Sequence, residues 1–173
     1  MTEDVDAHRS FCGLVAMERQ HLLDAMDRKI LGVLQANGRL TNQALAEQVA
    51  LSPSACLART RRLEREGFIE GYHARLNPYR LGIGLVLFAE VTLEGHSADE
   101  QQRFERAISA ISNVVEVSDV SGDVDYLLKV VVRDMTEWTK LKEGLIEGDL
   151  GVRRVTTHVL MRKPKVFLGY PIF

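Results

Sequence analysis

Apolar residues recur every three to four positions in three consecutive segments of the first half of the chain, which predicts three short helices. The first segment covers residues 24–37 and ends before Gly38, a suitable stop. Asp24 is a suitable N-cap, and Asp27 adds an acidic group to the first turn. The second segment begins at Thr41, another N-cap residue. The three helices are predicted to share a small core, to which the first two contribute Met26, Ile30, Leu31, Leu34, Leu45, Ala46 and Val49.

The third segment follows a short turn at Ala50 and Leu51. Ser52 is a suitable N-cap, Pro53 suits the first turn because its missing N–H needs no partner there, and Gly67 is predicted to end the helix. At about 100° per residue, the inward side of this helix carries Cys56, Leu57, Thr60 and Leu63. The outward side is small at its start and cationic further on, with Ser54, Ala55, Ala58, Arg61, Arg62 and Arg65.

Two short helices around a tight turn, with a basic second helix, are typical of the helix-turn-helix motif, whose second helix enters the major groove of DNA. Small side chains let such a helix approach base edges, and arginine can pair with guanine or with phosphate. An ordinary solvated face is the alternative, because Glu64 and Glu66 partly balance the arginines. We predict a surface for double-stranded DNA that comprises Asn42, Ser52, Ser54, Ala55, Ala58, Arg59, Arg61, Arg62 and Arg65.

Residues 68–78 alternate between apolar and polar types around Gly71. This alternation predicts a short strand pair, or wing, that leads into a linker near Asn77 and Pro78. The first domain is therefore predicted to be a winged helix-turn-helix domain at residues 23–76, followed by a linker at residues 77–83.

The spacing of apolar residues changes in the second half of the chain. Strands are predicted at residues 85–93, 114–120, 126–132 and 152–161, and in the last of them one face carries Val155, Thr157, Val159 and Met161. Two helices begin at the capping pairs Ser97 with Glu100 and Asp134 with Glu137. Their inward residues are Phe104, Ala107, Ile108, Ile111, Trp138, Leu141 and Leu145. The order strand, helix, strand, strand, helix, strand predicts a ferredoxin-like βαββαβ domain at residues 84–163, and the fold class is α+β.

Four strands with two helices leave one face of the predicted sheet uncovered. A homodimer formed through that face would cover it and would present two recognition helices to one duplex. The apolar residues 164–173 are too hydrophobic for a free tail and are expected to add a contact. For the N-terminal extension, residues 1–22, the sequence allows either a mobile tail or a short helix packed on a neighbouring subunit.

The composition fits a soluble globular protein, with 46% hydrophobic and 27% charged residues among 173. Because the formal net charge is only −2, DNA contact must depend on local clustering of arginines. The two cysteines, Cys12 and Cys56, lie far apart, which disfavours a disulfide framework. The five histidines form no Cys/His pair at the spacing of metal ligands, so neither a metal nor a cofactor is predicted.

Two further classes of protein are disfavoured. The sequence has no long apolar segment and no signal-peptide pattern, so we predict a cytoplasmic protein without a membrane partner. It also lacks a Gly-rich phosphate loop and any grouping of nucleophile, base and orienting residue, which argues against an enzyme.

With the runs LSPSACLARTRRLEREGFIEGY and VSGDVDYLLKV at this separation, the chain resembles the leucine-responsive regulatory protein (Lrp/AsnC, or feast/famine) family over residues 23–161. The resemblance implies a bacterial or archaeal transcription regulator that dimerises through the ferredoxin-like domain and assembles into tetramers, octamers or larger discs. It also implies an amino-acid effector, bound at a contact between dimers near the loop formed by Ser121, Gly122, Asp123, Val124, Asp125 and Tyr126.

The chemistry of this loop agrees with that role. Gly122 permits a tight turn whose N–H groups can face a carboxylate, while Asp123 and Asp125 can accept hydrogen bonds from an ammonium group. An amino-acid zwitterion needs both kinds of partner. A simple hairpin turn is the alternative for the loop, since Gly and Asp are usual turn residues. The competing function for the whole protein is an architectural one, in which it wraps DNA without an effector.

Overall fold

The computed structural model of the chain describes residues 23–173, which form two compact units. The first unit comprises residues 23–74 together with Val166–Phe173, and the second comprises Arg75–Lys165. The N-terminal extension predicted at residues 1–22 lies outside the described residues.

Three helices form the body of the first unit: α1 (Ala25–Ala36), α2 (Asn42–Val49) and α3 (Pro53–Arg65). Each begins at a predicted cap, because the side chains of Asp24, Thr41 and Ser52 accept N–H hydrogen bonds from the first turns. Asp27 completes a capping box at α1 by accepting from the Asp24 N–H. The buried core consists of Ile30, Leu34, Leu45, Ala46, Val49, Cys56 and Leu63.

The prediction that Leu57 lies on the buried side of α3 is wrong, because this residue is 37% exposed. Cys56, Thr60 and Leu63 are the buried residues of this helix. They follow the spacing i, i+4, i+7 and therefore form a narrow stripe, whereas Leu57 lies about 100° round the helix from Cys56. The core under α3 is too narrow to cover that position.

The predicted wing is also wrong, because the structure shows no strand between residues 68 and 78. The N–H groups of Phe68 and Ile69 both donate to the carbonyl of Leu63, which turns the chain back against the end of α3. Both apolar side chains then pack on the helical core, and residues 70–77 continue as exposed chain. A 3-10 turn, Pro78–Leu81, follows within the predicted linker.

Residues Val166–Phe173, here called the tail, belong to the helical unit and run along α1. The Gln35 side chain donates to the Tyr170 carbonyl at 2.8 Å and accepts from the Tyr170 N–H at 2.9 Å. Nearer the start of α1, Arg28 Nε donates to the Phe173 carbonyl at 2.5 Å. The main chain of the tail is thus held by polar side chains of α1, although four of its own apolar side chains remain exposed: Phe167, Leu168, Tyr170 and Phe173.

Replacement of Gly169 by alanine is expected to release the tail. Gly169 has φ +138°, and a Cβ there would lie 2.1–2.4 Å from atoms of the Gln35 side chain. Hydrogen exchange should therefore show loss of protection at the Tyr170 amide, which donates to Gln35. Gly144→Ala is the control, because a Cβ at Gly144 meets nothing within 4 Å. Unchanged protection at Tyr170 in Gly169→Ala would contradict this docking.

The second unit is a four-stranded antiparallel sheet in the order β2-β3-β1-β4 with two helices. The strands are β1 (Leu85–Leu93), β2 (Val114–Asp119), β3 (Tyr126–Val132) and β4 (Val152–Val159), and the helices are α4 (Ala98–Ser109) and α5 (Met135–Glu147). This is the predicted ferredoxin-like arrangement. Strand β4 ends two residues earlier than predicted, which leaves Met161 88% exposed.

One face of the sheet packs against both helices. Side chains from β1 and β3 form the centre of this core together with Phe104, Ile108, Trp138 and Leu145 from the helices. The Trp138 indole N–H also donates to Thr157 Oγ1 on β4 at 3.1 Å. Helix α4 begins at the predicted Ser97–Glu100 capping box, whereas at α5 the Glu137 side chain accepts from the Arg133 N–H and not from the Asp134 N–H.

The opposite sheet face is covered by no helix of the second unit as far as the structure describes it. We call it the open face, and its side chains include Val86, Phe88, Glu90, Leu127, Lys129, Val131 and His158. Two polar contacts bridge neighbouring strands on it: Lys129 Nζ forms an ion pair with Glu116 at 2.8 Å, and His158 Nε2 lies 3.2 Å from Glu90 Oε1. The open face is therefore a mixture of apolar and polar side chains.

Candidate functional site

The exposed side of α3 is the first candidate site. Ser54, Ala58, Arg61 and Arg65 are exposed, and Ala55 is half-buried. At about 100° per residue, the four exposed residues lie within an arc of about 60° on the side opposite the core. Small residues occupy the start of this side, as predicted, and two of the three arginines predicted there, Arg61 and Arg65, occupy its end.

Two other predicted DNA-binding residues hold the turn before α3 in place. Asn42 Nδ2 on α2 donates to the Pro53 carbonyl at 2.8 Å, which ties the start of α3 to the start of α2. Ser52 Oγ accepts the Ala55 N–H at 3.2 Å and lies 3.3 Å from Ser54 Oγ. Ala50 joins the helices in the left-handed region, with φ 58°. These contacts fix the turn between α2 and α3.

Arg59 and Arg62 do not point away from the protein but contact carboxylates at the start of α1. Arg59 Nη1 lies 2.5 Å from Asp24 Oδ2 and 2.8 Å from Asp27 Oδ1, and Arg62 Nη2 contacts Asp27 Oδ2. We call these four residues the Asp–Arg cluster. Round the helix, Arg59 lies only about 60° from Cys56, and Arg62 about 120°, so both flank the buried stripe.

The electrostatics of the cluster follow from these contacts. The Asp27 side chain is fully buried, whereas about a third of each arginine side chain is exposed. Hydrogen bonds from the Asp27 N–H and from Arg59 lower the pKa of Asp24 to about 2. The same bond to Asp24, and then that to Asp27, raise the pKa of Arg59. Asp24 and Arg59 are therefore both charged at neutral pH.

Acid should weaken this attachment of α1 to α3. Because the pKa of Asp24 is about 2 in the folded protein and 3.8 without the contacts, its contribution to stability is present above about pH 4 and is lost as the pH falls towards 2. Thermal midpoints measured across this range should fall less steeply for Asp24→Asn, which still caps the helix but does not titrate. Equal slopes for the two proteins would contradict this role of Asp24.

The loop between β2 and β3, residues 120–125, is the second candidate site. Ser121, Gly122 and Asp123 are exposed, and Gly122 has φ +136°, a conformation that favours glycine. Val124 is half-buried. The loop closes by a hydrogen bond of 3.0 Å from the Val120 N–H to the Asp125 carbonyl. Its tip therefore offers one exposed carboxylate, that of Asp123, beside Gly122.

The structure gives Asp125 a partner within its own unit. Its Oδ2 accepts the Leu93 N–H at the end of β1 at 2.7 Å, and its Oδ1 lies 3.4 Å from His96 Nδ1. Its own N–H donates to the Val91 carbonyl. Asp125 therefore attaches the loop to the end of β1, and its carboxylate is only partly free for a ligand.

Tyr126 is a core residue. It is 1% exposed, its ring centroid lies 4.8 Å from that of Phe104, and its hydroxyl donates to Glu105 Oε1 at 3.0 Å. Burial, followed by the bond to Glu105, raises the pKa of Tyr126 above its usual range. The buried ring fixes the position where the loop joins β3.

Sequence reasoning missed the Asp–Arg cluster and the link from Asp125 to β1. A signal for the first was present: Asp24 and Asp27, and likewise Arg59 and Arg62, are three residues apart and so share a helix face. The link between Asp125 and Leu93 joins residues 32 positions apart and has no local signature.

The part of the chain that the structure describes contains neither a candidate metal site nor a candidate membrane-spanning helix. Between residues 23 and 173, no group of three His, Cys, Asp or Glu side chains is placed to hold a metal ion. No helix in the same range is long and apolar enough to span a bilayer. Cys56 is a free thiol buried in the helical core.

Both units match known protein families. Residues 23–70 match a family described as winged helix-turn-helix DNA-binding, and residues 86–167 match the Lrp/AsnC ligand binding domain. The chain is 44% identical over 143 residues to the leucine-responsive regulatory protein of Escherichia coli K12, which covers 83% of this chain and 87% of that protein. The chain belongs to the Lrp/AsnC family.

Solved structures of Lrp/AsnC regulators agree with this assignment. An AsnC family transcriptional regulator from Agrobacterium tumefaciens has a TM-score of 0.79 at 33% identity and covers 86% of this chain and 97% of its own. A transcriptional regulator from Neisseria meningitidis, solved as a complex with L-Met, has a TM-score of 0.80 at 34% identity and covers 86% of this chain and 96% of its own. As a member of the Lrp/AsnC family, this protein is a DNA-binding transcription regulator with a ligand-binding domain, and not an enzyme.

Proposed function

We propose that this regulator is a homodimer that binds operator DNA through the exposed side of α3 and responds to an amino acid bound at the loop of residues 121–126. The observation that carries the proposal is the division of α3 into a buried stripe and an exposed side with small residues and two exposed arginines. That division is what a helix needs in order to lie in the major groove.

Within the predicted DNA-binding surface, we assign direct contact to Ser54, Ala55, Ala58, Arg61 and Arg65. The first three allow the backbone to approach the bases, and the arginines at the other end reach guanine or phosphate. Asn42 and Ser52 serve this surface by fixing the turn between the two helices.

An amino-acid effector is supported by the loop chemistry and by two relatives. The exposed Asp123 carboxylate and the N–H groups beside Gly122 offer partners for an ammonium and a carboxylate group. The Neisseria meningitidis regulator was solved with L-Met, and the Escherichia coli relative is named for leucine. We propose a small apolar amino acid as the ligand class, at a contact between dimers.

A dimer through the open face is supported by the apolar residues on it. Phe88 and Val131 are half-buried and Leu127 is 36% exposed on the side of the sheet opposite both helices. Burial of such a surface against a second copy removes it from water, and the two-fold symmetry also places two copies of α3 on one duplex. Larger assemblies would then form from dimers.

The DNA-binding part of the proposal is tested with Arg61→Ala. Loss of a bidentate arginine–guanine contact costs about 1–3 kcal/mol and relaxes preference at one base position. Fluorescence anisotropy with a duplex selected by the unmodified protein from a random-sequence pool should show that loss. Arg39→Ala is the control, because Arg39 is an exposed arginine of the same unit outside α3. Equal affinities of Arg61→Ala and the control would refute the assignment.

The effector part is tested with Asp123→Asn. Thermal-shift titration of the unmodified protein with L-Met and L-Leu should raise the unfolding midpoint if either ligand binds the folded state. In Asp123→Asn the affinity should fall roughly ten- to a hundredfold, because one charge-assisted hydrogen bond is lost. Glu143→Gln removes an exposed negative charge from α5 and serves as the control. If Asp123→Asn responds as the control does, the loop is only a turn.

A further inference from the structure

We infer that Arg59 and Arg62 are positioning residues, which bind the start of α1 and thereby set the direction in which the exposed side of α3 points. This inference rests on the proposed DNA-binding role of α3 and assigns these two arginines a different part in it. The predicted DNA surface included both of them, whereas the structure shows that both contact carboxylates of the Asp–Arg cluster.

The first step is the burial of Asp27. Its side chain has no solvent exposure, and both of its oxygens are used: Oδ1 by Arg59, and Oδ2 by Arg62 and by the Asp24 N–H. A buried carboxylate is tolerated only when it is paired and hydrogen-bonded. An arginine that left Asp27 for a DNA phosphate would leave that charge without its partner, which opposes the exchange.

The second step is the charge of the cluster. Its two carboxylates, Asp24 and Asp27, balance its two guanidinium groups. The cluster therefore adds no net positive charge to α3, and the attraction to phosphate depends on Arg61 and Arg65, which have no acidic partner among the described residues. The arginines of α3 thus divide into an internal pair and an external pair.

The third step is the geometry of attachment. Arg59 and Arg62 are three residues apart on one flank of α3, so α3 is held to α1 at two points along its length. Two attachment points resist rotation of the helix about its own axis, which one point does not. A rotation of about 20° would move the helix surface by about 2 Å, enough to displace Arg61 from a base edge.

Asp24→Asn gives the sharpest test, because the two explanations predict opposite results. If Arg59 contacted DNA, removal of the Asp24 charge would free it and would tighten binding. If the cluster positions α3, the same change weakens its hold and should lower affinity for the selected duplex by about three- to tenfold. Asparagine is also a good N-cap, so the helix start is kept. Glu70→Gln is the control, since it removes one exposed negative charge from the same unit and should leave affinity unchanged.

Salt dependence of binding gives a second, independent readout. Each phosphate contact contributes about 0.9 to the slope of log affinity against log salt concentration. Arg59→Ala should lower affinity at every salt concentration and leave this slope unchanged. Circular dichroism at the assay temperature establishes that each variant is folded. Arg59→Ala removes one of the two arginines that pair with the buried Asp27, whereas Asp24→Asn leaves both of them in place, so Asp24→Asn decides the question if Arg59→Ala is unfolded.

The inference is overturned if Asp24→Asn binds the duplex more tightly than the unmodified protein, or if Arg59→Ala lowers the salt slope by about one phosphate contact. Failure of the proposed function has a different signature, because it would appear as unchanged affinity in Arg61→Ala. The two failures are thus measured on different variants.

Discussion

Tyr126→Ala is expected to lower the free energy of unfolding of the sheet unit by about 3–5 kcal/mol. The ring is 1% exposed and packs on Phe104 at 4.8 Å, so its removal leaves a cavity at the centre of the core. The Glu105 carboxylate also loses the hydroxyl that donates to it. Chemical denaturation monitored by circular dichroism measures this change.

Tyr126→Phe separates the roles of the ring and the hydroxyl. It keeps the packing and loses one hydrogen bond, so the expected cost is only about 1 kcal/mol. If Tyr126 has no direct contact with effector, Tyr126→Phe should bind the amino acid as tightly as the unmodified protein. A large loss of ligand affinity in a stable Tyr126→Phe protein would show that the Tyr126 hydroxyl takes part in effector binding.

Phe88→Glu is expected to convert the proposed dimer into a monomer. Phe88 lies on the open face, and its direct neighbours across β3 and β4 are Lys129 and His158. A carboxylate there is compatible with the folded monomer, because Lys129 can pair with it, but it places a charge in each half of the proposed interface. In a symmetric dimer two such carboxylates are buried, one from each subunit. The dimer dissociation constant should therefore rise more than a hundredfold, which corresponds to about 3 kcal/mol or more.

Light scattering during size exclusion at micromolar concentration tests the effect of Phe88→Glu. Thr139→Glu on the exposed side of α5 introduces the same charge away from the open face and serves as the control. The proposed interface is wrong if Phe88→Glu remains dimeric while it is folded. The isolated sheet unit, which has its own complete core, should dimerise like the full chain.

Local signals predicted most of the elements. Asp24, Thr41, Ser52, Ser97 and Asp134 all cap helices as their residue types indicate. A cap acts within four residues of itself, so it can be recognised without knowledge of the fold. The alternation that predicted a wing was equally local, but Phe68 and Ile69 pack on the helical core, and this tertiary contact prevailed over strand propensity.

The functional surfaces were harder to predict because they depend on contacts between distant residues. The spacing of three residues groups Arg59 with Arg62 and Asp24 with Asp27, but it does not indicate that Asp24, 35 positions earlier, will pair with Arg59. In the same way Tyr126 directly follows a turn sequence, yet its ring belongs to the core. Periodicity gave the direction of Arg61 and Arg65 correctly and that of Arg62 wrongly, since a long side chain can reach back from the flank of a helix.

The tail also affects the order in which the first unit is completed during synthesis. Arg28 and Gln35 meet tail residues that are 145 and 135 positions later in the chain. At roughly 5–20 residues per second, roughly 7–27 s separate the emergence of Gln35 from the ribosome and that of its partner. The core of the three helices closes through contacts between near neighbours and so has time to form. The outer side of α1 therefore stays open until the whole sheet unit has been translated.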